Sequence, residues 1–338
     1  AARPAAPAAA GAGARRFLLW RVPGACDGQG LSDRRACLAV VLAEAFLLGR
    51  AVVLPRFTLD AGRHNAGVQL PDTDLLEYLS LEHVPVATVS GDAFAWNAED
   101  ALVLEGALDP REWQSCSAPV LLRPCTPGFW RNEVHDTVLH LAGEFHGTGM
   151  KPTPGLFAPA ARVARAAALA AGRIGMAYVG VHVRRGDKLA MMPGLAEATT
   201  ATAVAQLVAS VAPPGVSSVY LATNDPSVDY AAALRDQGFL CYTAGDVLGE
   251  ELGAGDNHML FAVEMKLVDD AAACIRTFND ATPWYYSTAP KPSFHLLDRS
   301  MHDYVFGFSR TGARSRHVGP PAALAPWAAL EAYEALRA

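Results

Sequence analysis

Residues 178–188, read as Y-V-G-V-H-V-R-R-G-D-K, contain the side chains best suited to chemistry in this chain. The apolar residues up to Val183 predict a buried strand, and Arg184, Arg185 and Lys188 follow directly after it. In open α/β sheets, ligands bind at the carboxyl ends of the strands. Guanidinium groups bind phosphate or carboxylate in a planar, bidentate geometry. The segment therefore predicts an anion site, most simply for a diphosphate.

The same residues also allow a plainer interpretation. Arg185, Gly186 and Asp187 would then form a surface turn with an internal ion pair, since charged turns are common and exposed pairs stabilise little. An R-G-D cell-adhesion motif is a weaker alternative, because the tripeptide follows the strand too directly to stand at the tip of a displayed loop. From these residues alone, the anion site and the charged turn both remain open.

Two further predicted strands end in polar residues. One lies within residues 219–227, V-Y-L-A-T-N-D-P-S, and the other follows a predicted helix that carries Glu264. The polar residues at these two ends are Thr223, Asn224, Asp225, Thr277 and Asn279. Because parallel strands end at one edge of a sheet, we expect all three polar ends to converge on one crevice.

The elements that must position these residues alternate along the second half of the chain. The predicted helices cover about 160–172, 197–211, 226–237 and 257–270, and the predicted strands cover 176–183, 216–222, 239–242 and 272–278. Such alternation is typical of a parallel sheet covered by helices.

The first half begins with a similar unit. Residues 17–22 predict a strand, a glycine-rich turn containing Gly28 and Gly30 follows, and a helix with apolar residues at helical spacing comes next. Ser32 is the predicted cap of this helix, Gly49 its end, and Ala51–Leu54 a second strand. The glycine turn should face a ligand edge.

A dinucleotide site is the obvious competitor for this glycine turn. The third glycine of that fingerprint would fall on Asp33, and no acidic residue ends the second strand. Both departures count against a dinucleotide.

Composition limits the classes of function. The 338 residues are enough for two domains, and 51% hydrophobic with 18% charged residues indicate a globular protein. A net charge of −6 argues against bulk nucleic-acid binding, and no apolar run is long enough to span a membrane. Six cysteines permit disulfides in an oxidising compartment, with Cys116 and Cys125 as the most plausible local pair.

Taken together, the motifs resemble one family. H-V-R-R-G-D-K followed by V-Y-L-A-T-N-D-P-S is similar to the inverting fucosyltransferase superfamily, and the first glycine turn resembles its protein O-fucosyltransferase branch. The third motif, from helix to strand end, is similar to the α1,6 branch. The resemblance implies an α/β, GT-B fold of two Rossmann-like domains facing a central cleft. It also implies GDP-fucose as the donor, a protein or glycan acceptor, no nucleic acid and no metal.

The resemblance also implies roles for individual residues. Arg184 corresponds to the catalytic arginine that holds the β-phosphate and drives its departure. His182 and Glu264 correspond to partners of the guanine edge, and Asn224 and Asp225 to contacts on the ribose and base side. The other residues expected around the donor are Arg185, Asp187, Lys188, Thr277, Asn279, Gly28 and Gly30.

Some residues depart from the family pattern. Met192 stands where the α1,6 branch has a glutamate, so no general base is assigned; Glu197 is the nearest acid downstream. Asn279 and Asp280 stand where serines are usual, and Asp280 would oppose a diphosphate unless Arg276 neutralised it. These departures leave two alternatives: a catalytically silent relative that binds a nucleotide sugar or peptide, and a rhamnosyl- or other deoxyhexosyltransferase.

The predicted organisation has four parts. They are a flexible linker or stem at 1–16, an acceptor-side domain at 17–155, a donor-binding domain at 156–320 and a C-terminal helix at 321–338. Within the acceptor-side domain, 60–155 is expected to be mostly loops. From the family we expect a site in the Golgi or endoplasmic reticulum lumen, with any membrane anchor lying upstream.

Overall fold

The fold contains two five-stranded parallel sheets, each accompanied by helices. The computed structural model describes residues 16–21, 30–54, 56–57, 73–106, 108–124, 138, 141–142, 145, 156–190, 194–249, 252, 255–277 and 293–296. All strand pairs within the two larger sheets are parallel, as the alternating sequence pattern predicts.

The first sheet belongs to the N-terminal half of the chain. Its strands are β1 (Phe17–Trp20), β2 (Ala51–Leu54), β6 (Thr88–Ser90), β7 (Ala101–Val103) and β8 (Val120–Arg123), in the order β6-β2-β1-β8-β7. Helix α1 (Leu31–Leu48) lies between β1 and β2, which confirms the predicted strand–helix–strand order; residues 22–29 of the predicted glycine turn lie outside the described residues. The short helix α2 (Pro110–Trp113) precedes β8.

The second sheet belongs to the C-terminal half. Its strands are β10 (Val179–Val183), β11 (Ser218–Thr223), β12 (Leu240–Tyr242), β13 (Ala273–Arg276) and β14 (Ser293–Leu296), in the order β12-β11-β10-β13-β14. The helices of this half are α3 (Ala161–Ile174), α4 (Leu195–Ala198), α5 (Ala201–Val211), α6 (Tyr230–Asp236), α7 (Ala244–Val247) and α8 (Asn257–Asp270). Side chains of Thr200, Asp229 and Asp256 cap helices α5, α6 and α8, respectively.

Four very short strands form two antiparallel pairs outside the large sheets. Strand β3 (Arg56–Phe57) pairs with β4 (Thr73–Asp74), and β5 (Leu79–Ser80) pairs with β9 (Ala158–Pro159). The second pair joins the N-terminal half to the residue segment that leads into α3.

Helix α1 is buried along nearly its whole length. Its apolar residues Leu38, Val41 and Leu42 are fully buried, and Gly49 ends it in the left-handed conformation with φ 61°, as predicted. The predicted cap Ser32 is wrong: the N-cap is Gly30, without a side-chain hydrogen bond, because the helix begins at Leu31 and Ser32 lies inside its first turn.

Residues 60–155 are more regular than predicted. The described part of this range supplies β6, β7 and β8, three of the five strands of the first sheet. These strands have only three or four residues. In β7, Leu102 is 46% exposed and Val103 is 44% exposed. A strand that is short and exposed on both faces lacks the alternating pattern by which a strand is predicted.

Apolar packing links the two halves. The largest hydrophobic cluster includes Leu38 of α1, Val163 of α3 and Val263 of α8, all fully buried. A second cluster lies on the other face of the second sheet, where Val181 and Val183 of β10 meet α5 and α6. No helix among the described residues is long and apolar enough to cross a membrane.

Candidate functional site

The site is built on the carboxyl ends of three adjacent strands. Central β10 pairs with β11 so that Val183 lies opposite Thr223, and with β13 so that His182 lies opposite Arg276. The chain segments that follow these strands therefore start at one edge of the sheet. The structure brings the three predicted polar strand ends together there.

Thr277 connects β13 to the first arginine of the motif. Its backbone N–H donates to the carbonyl of His182 at 3.0 Å, which continues the sheet by one residue. Its hydroxyl Oγ1 accepts from the backbone N–H of Arg184 at 2.8 Å. Thr277 is fully buried and Arg184 is half-buried. The chain path at Arg184 is thus fixed by a buried side chain of the neighbouring strand.

Arg185 is connected to β11 on the other side. Its backbone N–H donates to Asn224 Oδ1 at 2.8 Å, and its Nε donates to Asp225 Oδ2 at 2.9 Å. Its Nη1 donates to the carbonyls of Ala196 and Thr199 and to the Thr199 hydroxyl. The Arg185 side chain is only 12% exposed. Both Nε and Nη1 of Arg185 therefore bond to residues of neighbouring segments.

Asp225 has a further partner in Ser227. Oδ1 of Asp225 accepts from the backbone N–H of Ser227 at 3.1 Å and from its hydroxyl at 2.5 Å. The hydrogen bond from Ser227 and then that from Arg185 lower the pKa of Asp225 below its usual range. The carboxylate therefore stays charged and holds the loop that follows β11.

His182 lies next to two arginines. It is the last residue but one of β10, and it alternates with Val181 and Val183, which face the opposite cluster. Burial, followed by the charges of Arg276 and Arg184, lowers the pKa of His182 to about 3. The imidazole is therefore neutral at physiological pH and has one N–H donor and one acceptor nitrogen to offer.

Glu264 contacts the same sheet from helix α8. Its Oε1 accepts a hydrogen bond from the hydroxyl of Tyr220 in β11 at 3.3 Å. Burial raises the pKa of Glu264 to about 7, and the Tyr220 hydrogen bond offsets only part of that rise. The carboxyl group can consequently change its charge near neutral pH, which few glutamates do.

Arg276 is paired with helix α8. Its Nε donates to Cys274 Sγ at 3.2 Å, and Nη2 pairs with Asp269 on α8. The side chain of Arg276 is 4% exposed and that of Asp269 is 5% exposed. Asp280 lies outside the described residues, so its neutralisation by Arg276 stays a prediction.

The remaining predicted residues are only partly described. Lys188 is half-buried in a 3₁₀ turn at Gly186–Lys188, and this turn contains Asp187. Gly30 is the N-cap of α1. Gly28, Asn279, Met192 and Cys125 lie outside the described residues. Cys116 is a free thiol, so the predicted disulfide with Cys125 receives no support.

Thr199 is the residue that sequence reasoning missed. It is fully buried between α4 and α5, accepts from Arg185, and its carbonyl accepts from the Tyr230 hydroxyl at 2.7 Å. Thr199 belongs to the run T-T-A-T at residues 199–202, which matches no motif, so nothing in the sequence pointed to it.

Metal ligands form no cluster in the part of the chain that is described. No group of three or more His, Cys, Asp or Glu side chains there is arranged to hold a metal ion. The independence from metal implied by the family resemblance stays a prediction.

The two parallel sheets with their helices are Rossmann-like elements, and together they form a GT-B fold. Among solved structures, the chain is similar to POFUT1 in complex with GDP-fucose, with a TM-score of 0.54 at 13% identity over 84% of this chain and 98% of that one. It is equally similar to POFUT1 without ligand, with a TM-score of 0.55 at 13% identity over 85% and 99%.

The fucosyltransferase NodZ from Bradyrhizobium also matches, with a TM-score of 0.45 at 14% identity over 80% of this chain and 92% of that one. No protein-family model matches the sequence, and no curated protein sequence matches it. The similarity to POFUT1 supports the GT-B fold that the family resemblance implied.

Proposed function

We propose that this protein is a glycosyltransferase that transfers fucose from GDP-fucose to a protein or glycan acceptor with inversion. One observation carries the proposal. Arg184 follows the central strand of the second sheet at the edge where ligands bind in such folds, and its backbone is fixed by Thr277. The similarity in fold to POFUT1, which binds GDP-fucose in its crystal structure, points to the same donor.

The chemistry requires positive charge at this position. Breaking the bond between the sugar and GDP leaves negative charge on the β-phosphate, and fixed cations placed in advance stabilise it most effectively. Arg184 would supply a guanidinium fork to the phosphate oxygens, with Lys188 adding a second cation from the following turn. Such a site can work without a metal ion, and we extend the proposal to metal-independent transfer.

His182 and Glu264 would bind the base. A carboxylate accepts both the ring N–H and the amino group of guanine, and a neutral imidazole offers one donor and one acceptor. The low pKa of His182 keeps its imidazole neutral and so supports its role as one donor and one acceptor. Because the pKa of Glu264 is raised to about 7, binding of guanine would have to favour the deprotonated carboxylate over the neutral acid.

Acceptor and location follow from the family resemblance alone. We propose that the N-terminal half holds the acceptor across the cleft and that the enzyme works in the lumen of the Golgi or endoplasmic reticulum. The protein O-fucosyltransferase branch, which the first glycine turn resembles, can manage without a dedicated general base through a strongly dissociative route, and we propose the same route here.

The decisive experiment measures GDP release from GDP-fucose in EDTA, with a panel of peptide and glycan acceptors. GDP-mannose and UDP-linked sugars serve as competing donors. Release that depends on an acceptor, prefers GDP-fucose and disappears in Arg184→Ala supports the proposal. Binding of GDP with neither transfer nor hydrolysis would favour a catalytically silent relative, and preference for another sugar would favour a different deoxyhexosyltransferase.

A further inference from the structure

The two adjacent arginines of the motif have different surroundings. The backbone N–H of Arg184 donates to Thr277 of the neighbouring strand end, and the guanidinium of Arg185 bonds to partners on two other segments. Nε bonds to Asp225 after β11, and Nη1 bonds to Thr199 and Ala196 beside α4. A guanidinium that already has these bonds at 12% exposure is poorly placed to bind a diphosphate as well.

The Arg185 contacts join three separate segments. The segments are the motif turn after β10, the loop of residues 224–227 after β11, and the corner between α4 and α5 at Thr199. Gly186 shows how closely the first two approach: a Cβ placed there would lie 2.6 Å from Asn224 Nδ2, and the residue has φ +26°. The backbone of the turn thus rests directly on the Asn224 side chain.

Thr199 secures the third segment from inside the protein. It is fully buried, and its hydroxyl donates to the carbonyl of Leu195 while accepting from Arg185. Its carbonyl receives the Tyr230 hydroxyl at 2.7 Å, so α6 supports the same corner. A residue with no exposed surface cannot touch a donor, so Thr199 acts on the site through its neighbours, and among these Arg185 belongs to the motif.

We propose that Arg185 is a positioning residue, and that with Asp225 and Thr199 it forms a clamp that holds the motif turn so that Arg184 faces the donor. The effect of the clamp on donor binding rests on the proposed function, because the position of the motif turn affects the donor only if Arg184 binds the diphosphate. Arginine suits the role because its planar fork reaches two partners at fixed angles, which an ammonium group cannot do. This assigns Arg185 and Asp225 to the support of the site rather than to contact with the donor.

The test compares Thr199→Val with Thr199→Ser. Valine keeps the shape but removes the hydroxyl, while serine keeps the hydroxyl and loses a methyl group. The first readout is amide hydrogen exchange of the ligand-free protein, resolved for residues 184–190, 195–200 and 224–227. The second readout is the dissociation constant for GDP from calorimetry, measured on both variants and on Arg185→Lys.

The clamp predicts faster exchange in 184–190 and 224–227 for Thr199→Val, with wild-type exchange in Thr199→Ser. It also predicts GDP binding weakened by roughly ten-fold in Thr199→Val and in Arg185→Lys, as expected for loss of a charge-assisted hydrogen bond. In the double variant the two losses should not add, because both break the same contact.

Three results would overturn the clamp. The first is exchange that changes only within 195–200, which would limit Thr199 to its own corner. The second is near-normal GDP binding by Arg185→Lys, which would fit a direct contact with phosphate. The third is additive losses in the double variant. Wild type that fails to bind GDP would refute the proposed function instead, while the exchange data would still decide on the clamp.

Discussion

Glu264 makes the stability of this protein depend on pH in a direction opposite to that of an ordinary acidic residue. Burial raises its pKa from 4.5 to about 7 in the folded protein. Between these two values the folded state holds a proton that the unfolded state has released, so stability falls as the pH rises through this window. At about 1.4 kcal/mol for each pKa unit, the full loss is about 3 kcal/mol.

The variant Glu264→Gln removes this titration and keeps an oxygen that can accept from Tyr220. Urea unfolding at pH 4 and pH 8 should show the variant gaining about 3 kcal/mol relative to wild type over that interval. Glu112→Gln, on the exposed first turn of α2, is the matched control and should follow wild type at both values. The same change in unfolding free energy between pH 4 and pH 8 for Glu264→Gln and wild type would refute the argument that the carboxyl is desolvated.

Two other predictions concern buried charge. The pKa of His182 is about 3 in the folded protein and 6.5 in the unfolded chain, so the free energy of unfolding should fall by about 3 kcal/mol as the pH is lowered from 6.5 to 4. The variant His182→Asn should show a smaller fall when urea unfolding is measured across this pH range. The Glu44–Arg123 pair is buried at 3% and 2% side-chain exposure, so Glu44→Ala should cost about 3–5 kcal/mol in urea unfolding at pH 7; a cost below 1 kcal/mol, on the order of an exposed pair, would contradict it.

The sequence was most informative where one residue pattern decides one element. The apolar run into Arg184 predicted β10, and the helical spacing of Leu38, Val41 and Leu42 predicted α1, because both elements are long enough to show their period. Strand β7 was missed, since it is three residues long and exposed at Leu102 and Val103.

The candidate site was likewise predictable only where a local sequence pattern decides the structure. Its three strand ends were predictable because parallel strands must finish at one edge of a sheet. Side-chain pairing was not predictable, since Arg185 meets Thr199 and Arg276 meets Asp269 through contacts that the chain order does not reveal. Adjacent arginines therefore looked alike in the sequence, although their surroundings differ in the structure.

The central claim is that Arg184 binds the diphosphate of a guanine nucleotide. Calorimetric titration with GDP in EDTA tests it directly on wild type, Arg184→Ala and Arg165→Ala, the last an exposed arginine of α3 that serves as the control. The account predicts metal-free binding by wild type and Arg165→Ala, and a loss of at least about 100-fold in Arg184→Ala, since a charged hydrogen-bonded contact is removed. Equal binding by Arg184→Ala, or no binding by wild type, would contradict it.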